Sequence, residues 1–228
     1  MTNPDFKGMA TGLPGTKQEA EDLKRLIPNG AYYADEKATK EPLLKCVRPR
    51  LVHVATHGFF EADQPDPSTR DSNERKVNPL LSLEFAYSTQ PNINPLVRSG
   101  LLFAGASEAA RRLTALEMAG ADWEGTQLVT LSACDTGVGD VRDGEGIYGV
   151  RRAMVLTGAV AGVITLWKVN DTATSELMRL FYDRLIRKHQ SREEALRLAQ
   201  LALLNTRERS NPFFWAGFIA TGKDGPLR

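Results

Sequence analysis

Residues 127–137 read Gln-Leu-Val-Thr-Leu-Ser-Ala-Cys-Asp-Thr-Gly. The first seven are an apolar, β-branched run with no Gly or Pro, which predicts a buried strand. Cys134 follows it directly. A side chain at the C-terminal end of a parallel strand lies at the crevice where open α/β sheets place ligands. A second run of the same kind, RLVHVAT at 50–56, ends at His57 and is followed by Gly58. If both strands belong to one parallel sheet, their loops emerge at the same edge. A thiol is a strong nucleophile only as thiolate, and a neighbouring imidazole favours that form or takes the proton. His57 and Cys134 therefore form a candidate dyad, and the backbone N–H groups around Gly58 and Cys134 are candidate oxyanion donors. The competing reading is packing, because a lone buried Cys or a His at a strand end is commonly structural. Their matched positions, each with glycine nearby, favour the dyad.

Outward from these strands the pattern alternates. KQEAEDLKRLI at 17–27 and TKEPLLKCV at 39–47 have apolar residues at helical spacing, with Thr16 as a candidate cap of the first and Thr39 beginning the second. Residues 31–34 and 161–167 read as strands, and 80–88 with 99–106 as a hairpin-like excursion. Residues 146–156, 172–188 and 192–206 read as helices, and 212–222 as a closing strand. Strands alternating with helices predict an α/β fold with a mostly parallel sheet flanked by helices. There is no internal repeat and no linker between two cores, so residues 1–228 read as one domain.

Composition removes several functions. Lys+Arg 29 against Asp+Glu 28 gives a net charge of +1, without the basic excess that phosphate-backbone binding needs; no direct nucleic-acid contact is expected. No apolar run approaches the about 20 residues of a membrane helix. Cys46 and Cys134 are the two cysteines. They cannot build a disulfide framework and they fit a reducing, cytoplasmic compartment. Three histidines and scattered acids show no metal spacing; neither a metal nor a cofactor is expected. Gly144, Gly146 and Gly149 spell G-x-G-x-x-G, but a dinucleotide fingerprint follows a strand immediately and these glycines do not. They are read as shaping a loop and the start of a helix. His53 shares a strand face with His57 and reads as structural. His189 reads as a solvated helix end, and Cys46, on a helix stripe, as core.

LVHVATHGFF, LTALEMAG, LVTLSACDTGVGD, GEGIYGVRRAMVLTGA, VITLWKVNDTAT and NPFFWAGFIATG, in that order, resemble the CHAT family. Its members are caspase-like domains often found behind tetratricopeptide repeats in bacteria. The resemblance covers essentially the whole chain and implies a caspase–hemoglobinase fold, in the clan of separases and metacaspases. It implies His57 as general base and acid, and Cys134 as nucleophile, of a cysteine endopeptidase. The short caspase signature Gln-Ala-Cys-x-Gly is replaced here by Ser132-Ala133-Cys134-Asp135-Thr136-Gly137. Acids stand nearby, Asp135 beside the nucleophile and Asp171 after VITLW. The LWKVND segment resembles the separase segment whose aspartate receives a basic P1 side chain. Asp171 is thus the candidate selector for Arg over Lys at P1; the alternative is that it caps the helix starting near Thr172. Trp167 is expected to wall the substrate cleft, and Trp215 and Phe218 to pack or do the same.

The resemblance also implies a strand before Asn3-Pro4-Asp5-Phe6, beside the His57 strand. Its absence is expected to leave the sheet open, to be completed by the rest of a longer protein or by a separate chain. A protein substrate, a regulatory repeat region or partner chain, and a role in bacterial defence or cell death follow as expectations. Loops 61–76 and 137–145 are candidates for ordering on activation. The rival class is a catalytically silent caspase-like scaffold.

Overall fold

A computed structural model describes residues 1–6, 13–61, 94–132, 145–167 and 169–228. The central sheet has the order β3–β7–β8–β9, built from β3 (Leu51–Val54), β7 (Leu128–Leu131), β8 (Ala161–Thr165) and β9 (Phe218–Gly222). The first three strands are parallel, as the apolar runs predict. β9 is antiparallel to β8, so the sheet is mixed. The reason lies in the connection. Two helices, α7 (Asp171–Tyr182) and α8 (Arg192–Leu204), separate β8 from β9 where one crossover helix would return the chain in parallel. The closing strand is also shorter than expected: Pro212–Phe214 forms a 3-10 turn capped by the Asn211 side chain.

Helices cover both faces, and the pleat sorts the strands between two cores. Val52, Val54, Val129, Leu131 and Ile164 point to one side. There they meet α2 (Lys40–Lys45), α5 (Ala115–Ala119) and α6 (Glu145–Leu156) through Leu43, Met118 and Met154. Leu128 and Val163 point to the other side, against Leu23 of α1 (Pro14–Leu26), Leu177 and Phe181 of α7, and Ala199 of α8. Burial on both faces is what makes these strands continuously apolar.

β4 (Gly58–Phe60) leaves this sheet and pairs antiparallel with β5 (Ser99–Leu102), which pairs with β6 (Arg112–Thr114). The hairpin partner expected at 80–88 lies outside the described residues. The short α3 (Pro95–Arg98) precedes β5, and α4 (Glu108–Arg111) precedes β6. Gly149 of α6 lies against β5 so closely that a Cβ there would collide with Ser99 Oγ. That glycine serves helix–strand packing; Gly144 and the side of Gly146 lie outside the described residues.

β1 (Thr2–Pro4) pairs in parallel with β2 (Ala34–Asp35) and reaches β3 through a single parallel bridge between Thr2 and Ala55. The Ala55 N–H donates to the Met1 carbonyl (2.8 Å), and the Met1 amino group donates to the His53 carbonyl (2.6 Å). The flank of β3 expected to be open is therefore occupied at its C-terminal end. Further back along the strand, at Leu51 and His53, it borders a groove of about 700 Å³ whose lining includes Leu23, Leu26, Tyr33 and Leu185. Among the described residues no helix is long and apolar enough to cross a membrane.

Candidate active site

Register aligns the two strands that precede the candidate dyad residues in sequence. Val54 is paired with Leu131 across the parallel β3–β7 ladder, and the Ser132 N–H donates to the Val54 carbonyl (2.8 Å). His57 and Cys134 each lie three residues beyond this matched pair. The two strands are immediate neighbours and parallel, so the chain leaves both at one sheet edge, and His57 follows the first of these ends. Cys134 and Asp135 themselves lie outside the described residues, as do loop 137–144 and all but Glu61 of loop 61–76.

His57 sits where the chain departs from the central sheet into β4. Its carbonyl accepts from Leu102 N–H (2.8 Å), which fixes its backbone to the β4–β5 sheet. The residue is buried, and its imidazole packs against the Phe6 ring with centroids 4.8 Å apart and planes tilted by 54°. Gly58, the candidate oxyanion residue, is the first residue of β4 and pairs with Leu101.

The third strand end contributes Trp167. It lies two residues past Thr165, at the same edge, because β8 is parallel to β7. The indole is about one-third exposed (37%), and its Nε1 reaches the Phe213 carbonyl at 3.4 Å. Trp215 is half-buried and donates to the Ser210 carbonyl, while Phe218 is buried in the second core.

Asp171 is the first residue of α7. The cap of that helix is Asn170, whose side chain accepts from Ala173 N–H. The Asp171 carboxylate turns instead to the start of α1, where Oδ2 accepts from Gly15 N–H at 2.5 Å. The α1 N-terminus has Pro14 in its first turn and no side-chain cap of its own. Thr16, expected to cap it, lies inside the helix and its hydroxyl donates to the Leu13 carbonyl.

His53 belongs to a different environment. Its Nδ1 is 2.9 Å from the Tyr182 hydroxyl, which donates to Thr130 Oγ1 at 2.7 Å; its Nε2 is 3.0 Å from the buried Glu19 carboxylate. Burial pushes the Tyr182 phenol well above its ordinary range. This polar chain runs under β3 and β7 between α1 and α7 and makes His53 structural. Cys46 is half-buried beside the first core, its thiol against the Leu43 carbonyl, and burial raises its pKa. His189 is exposed. The partners Phe6, Glu19 and Tyr182 carry no sequence signal of their own, because each meets its histidine only through tertiary packing.

The His57 strand and the strand that precedes Cys134 in sequence run parallel and adjacent in a mixed, helix-flanked sheet, which defines an α/β domain. The chain belongs to the CHAT-domain family, whose model matches residues 1–223. No curated protein matches the chain.

Proposed function

We propose that this domain is a cysteine endopeptidase of caspase-like architecture. The observation that carries the reading is the β3–β7 register, in which Val54 faces Leu131 and His57 and Cys134 follow at equal distance. In this reading His57 takes the Cys134 proton. The thiolate attacks the scissile carbonyl, and backbone N–H groups at Gly58 and Cys134 hold the oxyanion. His57 then protonates the leaving amine, and water hydrolyses the acyl-enzyme. Asp171, with Asp135 beside the nucleophile, selects a basic P1 residue, Arg over Lys, and Trp167 walls the cleft. A carboxylate selects a guanidinium by charge and paired hydrogen bonds.

Regulation by a repeat region or a separate chain, in the cytoplasm and in bacterial defence or cell death, completes the proposal. The partner draws support from the groove beside Leu51 and His53, where an extended segment would continue the β1 ladder along β3. Family membership supports the peptidase over the silent scaffold.

The test is turnover of peptidyl-Arg, peptidyl-Lys and peptidyl-Asp fluorogenic substrates by the chain with and without its upstream region. Expected is Arg-selective turnover that Cys134→Ala abolishes and that His57→Ala lowers by about 10²- to 10⁴-fold. Turnover or covalent labelling independent of Cys134 overturns the reading.

A further inference from the structure

Among the described residues, the Trp and Phe side chains that stand out in solvent are Trp167 (37% exposed) and Phe213 (49%). Other exposed large apolar residues, such as Leu116 and Val155, are aliphatic, and single exposures of that kind are ordinary. The two aromatic residues are a pair: the Trp167 indole N–H donates to the Phe213 carbonyl at 3.4 Å.

Two connections build the pair. β8 ends at Thr165, and β9 begins opposite it at Phe218, because the two strands are antiparallel. The chain before β9 therefore lies at the edge where β8 ends. That is also the edge where the chain leaves β3 towards His57, because β3, β7 and β8 are parallel. Leu166 N–H donates to the Gly217 carbonyl (2.8 Å), and the indole lies against Gly217, where a Cβ would stand 3.1 Å from Trp167 Cε2 and 3.2 Å from Nε1. The Asn211 side chain accepts from Phe213 N–H (2.9 Å), and the Phe213 ring meets Phe214 edge-on with centroids 5.6 Å apart. Gln200 of α8 donates to the Trp215 and Phe218 carbonyls (3.1 and 2.9 Å). Rings whose backbone is fixed in this way lose little freedom when something covers them, which favours binding.

What the pair offers is apolar surface. The indole N–H is spent on the Phe213 carbonyl, and a phenyl ring has no donor, so an acidic or amide side chain gains nothing here. A cation already stacks on this cluster: the Arg209 guanidinium lies 5.3 Å from the Phe214 centroid and reaches Glu176 at 3.7 Å. Trp167 and Asp171 are joined by the short connection 168–170, which ends where α7 begins.

We propose that Trp167 and Phe213 together form a second specificity subsite, which takes a large apolar side chain of the substrate flanking the basic P1 residue. This rests on the endopeptidase reading above. It adds Phe213 as a specificity-determining residue and a second requirement on the substrate, an apolar residue near the basic one.

The experiment uses the full chain and a set of internally quenched peptides with Arg at P1. Each flanking position from P4 to P2′ carries Gly, Leu, Phe or Glu in turn. The readout is the ratio of kcat/KM for Leu or Phe over Gly at the same position, in which the fraction of folded protein cancels. Expected for the parent is a ratio of about 10 to 100 at one position, the worth of burying one large apolar side chain, and no gain for Glu. Phe213→Ala is expected to lower that ratio at least about fivefold, and Phe213→Trp to restore most of it. Val155→Ala, which trims an exposed apolar residue elsewhere, should keep the parent's ratio. The same peptides are titrated into the Cys134→Ala chain, where the ratio is read as affinity whether or not turnover occurs. A parent that gains nothing from an apolar residue at any position, in turnover and in affinity, overturns the subsite. So does a Phe213→Ala variant with the parent's ratio. In both cases turnover that needs Cys134 leaves the endopeptidase reading standing. Turnover that persists in Cys134→Ala overturns the endopeptidase reading and the substrate role of the subsite with it.

Discussion

The Asp171 carboxylate caps a helix 156 residues away: its Oδ2 accepts the Gly15 N–H at the start of α1. A Cβ at Gly15 would lie 2.6 Å from the Asp171 carbonyl oxygen and 2.7 Å from its carboxylate, so the two elements meet with no room for a side chain. A single acid thus joins α1 to α7 and stands just after β8, where the proposed P1 pocket begins.

Charge and hydrogen bonding can be separated at this residue. Asp171→Asn keeps an oxygen for Gly15 N–H and loses the negative charge. It is expected to unfold within about 1 kcal/mol of the parent, while kcat/KM for a P1 Arg substrate falls about 100-fold relative to a neutral P1. Asp171→Ala also strips the cap and is expected to cost about 1–3 kcal/mol. Urea midpoints read beside a P1 substrate panel check both. Unchanged Arg selectivity in Asp171→Asn removes this residue from the pocket.

Tyr182 bridges His53 and Thr130 from a fully buried position. Tyr182→Phe leaves both partners without that hydroxyl, and buried groups deprived of a hydrogen bond cost about 1–3 kcal/mol. The expected result is a lower denaturant midpoint with an unchanged m-value. Activity of the folded fraction should stay intact, since this chain of polar groups lies between the sheet, α1 and α7 and includes none of the proposed site residues.

Gly149 is expected to resist substitution. An alanine Cβ would collide with Ser99 Oγ and lie 3.2 Å from Ser99 Cβ and 3.1 Å from the Pro95 carbonyl oxygen. Overpacking of this kind costs about 1–3 kcal/mol. Gly149→Ala should therefore melt lower than the parent, and the double variant Gly149→Ala/Ser99→Gly should recover part of the loss. Additive losses in the double variant would contradict the packing argument.

Prepared by itself with a free amino group at Met1, the 228-residue chain acquires a pH dependence. Burial lowers its pKa from 8.0 to about 6, against a smaller opposing effect of Glu19. Between those values the unfolded chain binds a proton that the folded chain does not, so stability rises with pH through the window from about 6 to 8. A shift of this size corresponds to about 2–3 kcal/mol in total. Denaturation midpoints at pH 6, 7 and 8 should show the rise, and N-terminal acetylation should remove that part of the slope. Equal slopes in the free and acetylated chains would refute it.

Much of the fold is legible locally. The runs 50–56 and 127–133 announce buried strands because both of their faces are covered. His57 and Cys134 are visible as strand-end residues because each directly follows such a run. The Thr16 cap and the long closing strand are misread for the same reason in reverse. Both rest on local preference, and distant residues decide them: Asp171 caps α1, and Pro212 with Asn211 makes a turn before β9.

The sequence by itself determined the α/β class, the two strands, the residues that end them and, through its motifs, the family. Its periodicity of two and of 3.6 residues records which side chains must be buried, and that is a local property. Only the tertiary structure decided the β3–β7 register, the reversal of β9, the Glu19–His53–Tyr182–Thr130 chain, the Asp171 cap and the Phe6 ring against His57. Each of these joins residues far apart in the chain, and no local pattern encodes which distant partner the packed core will bring into contact.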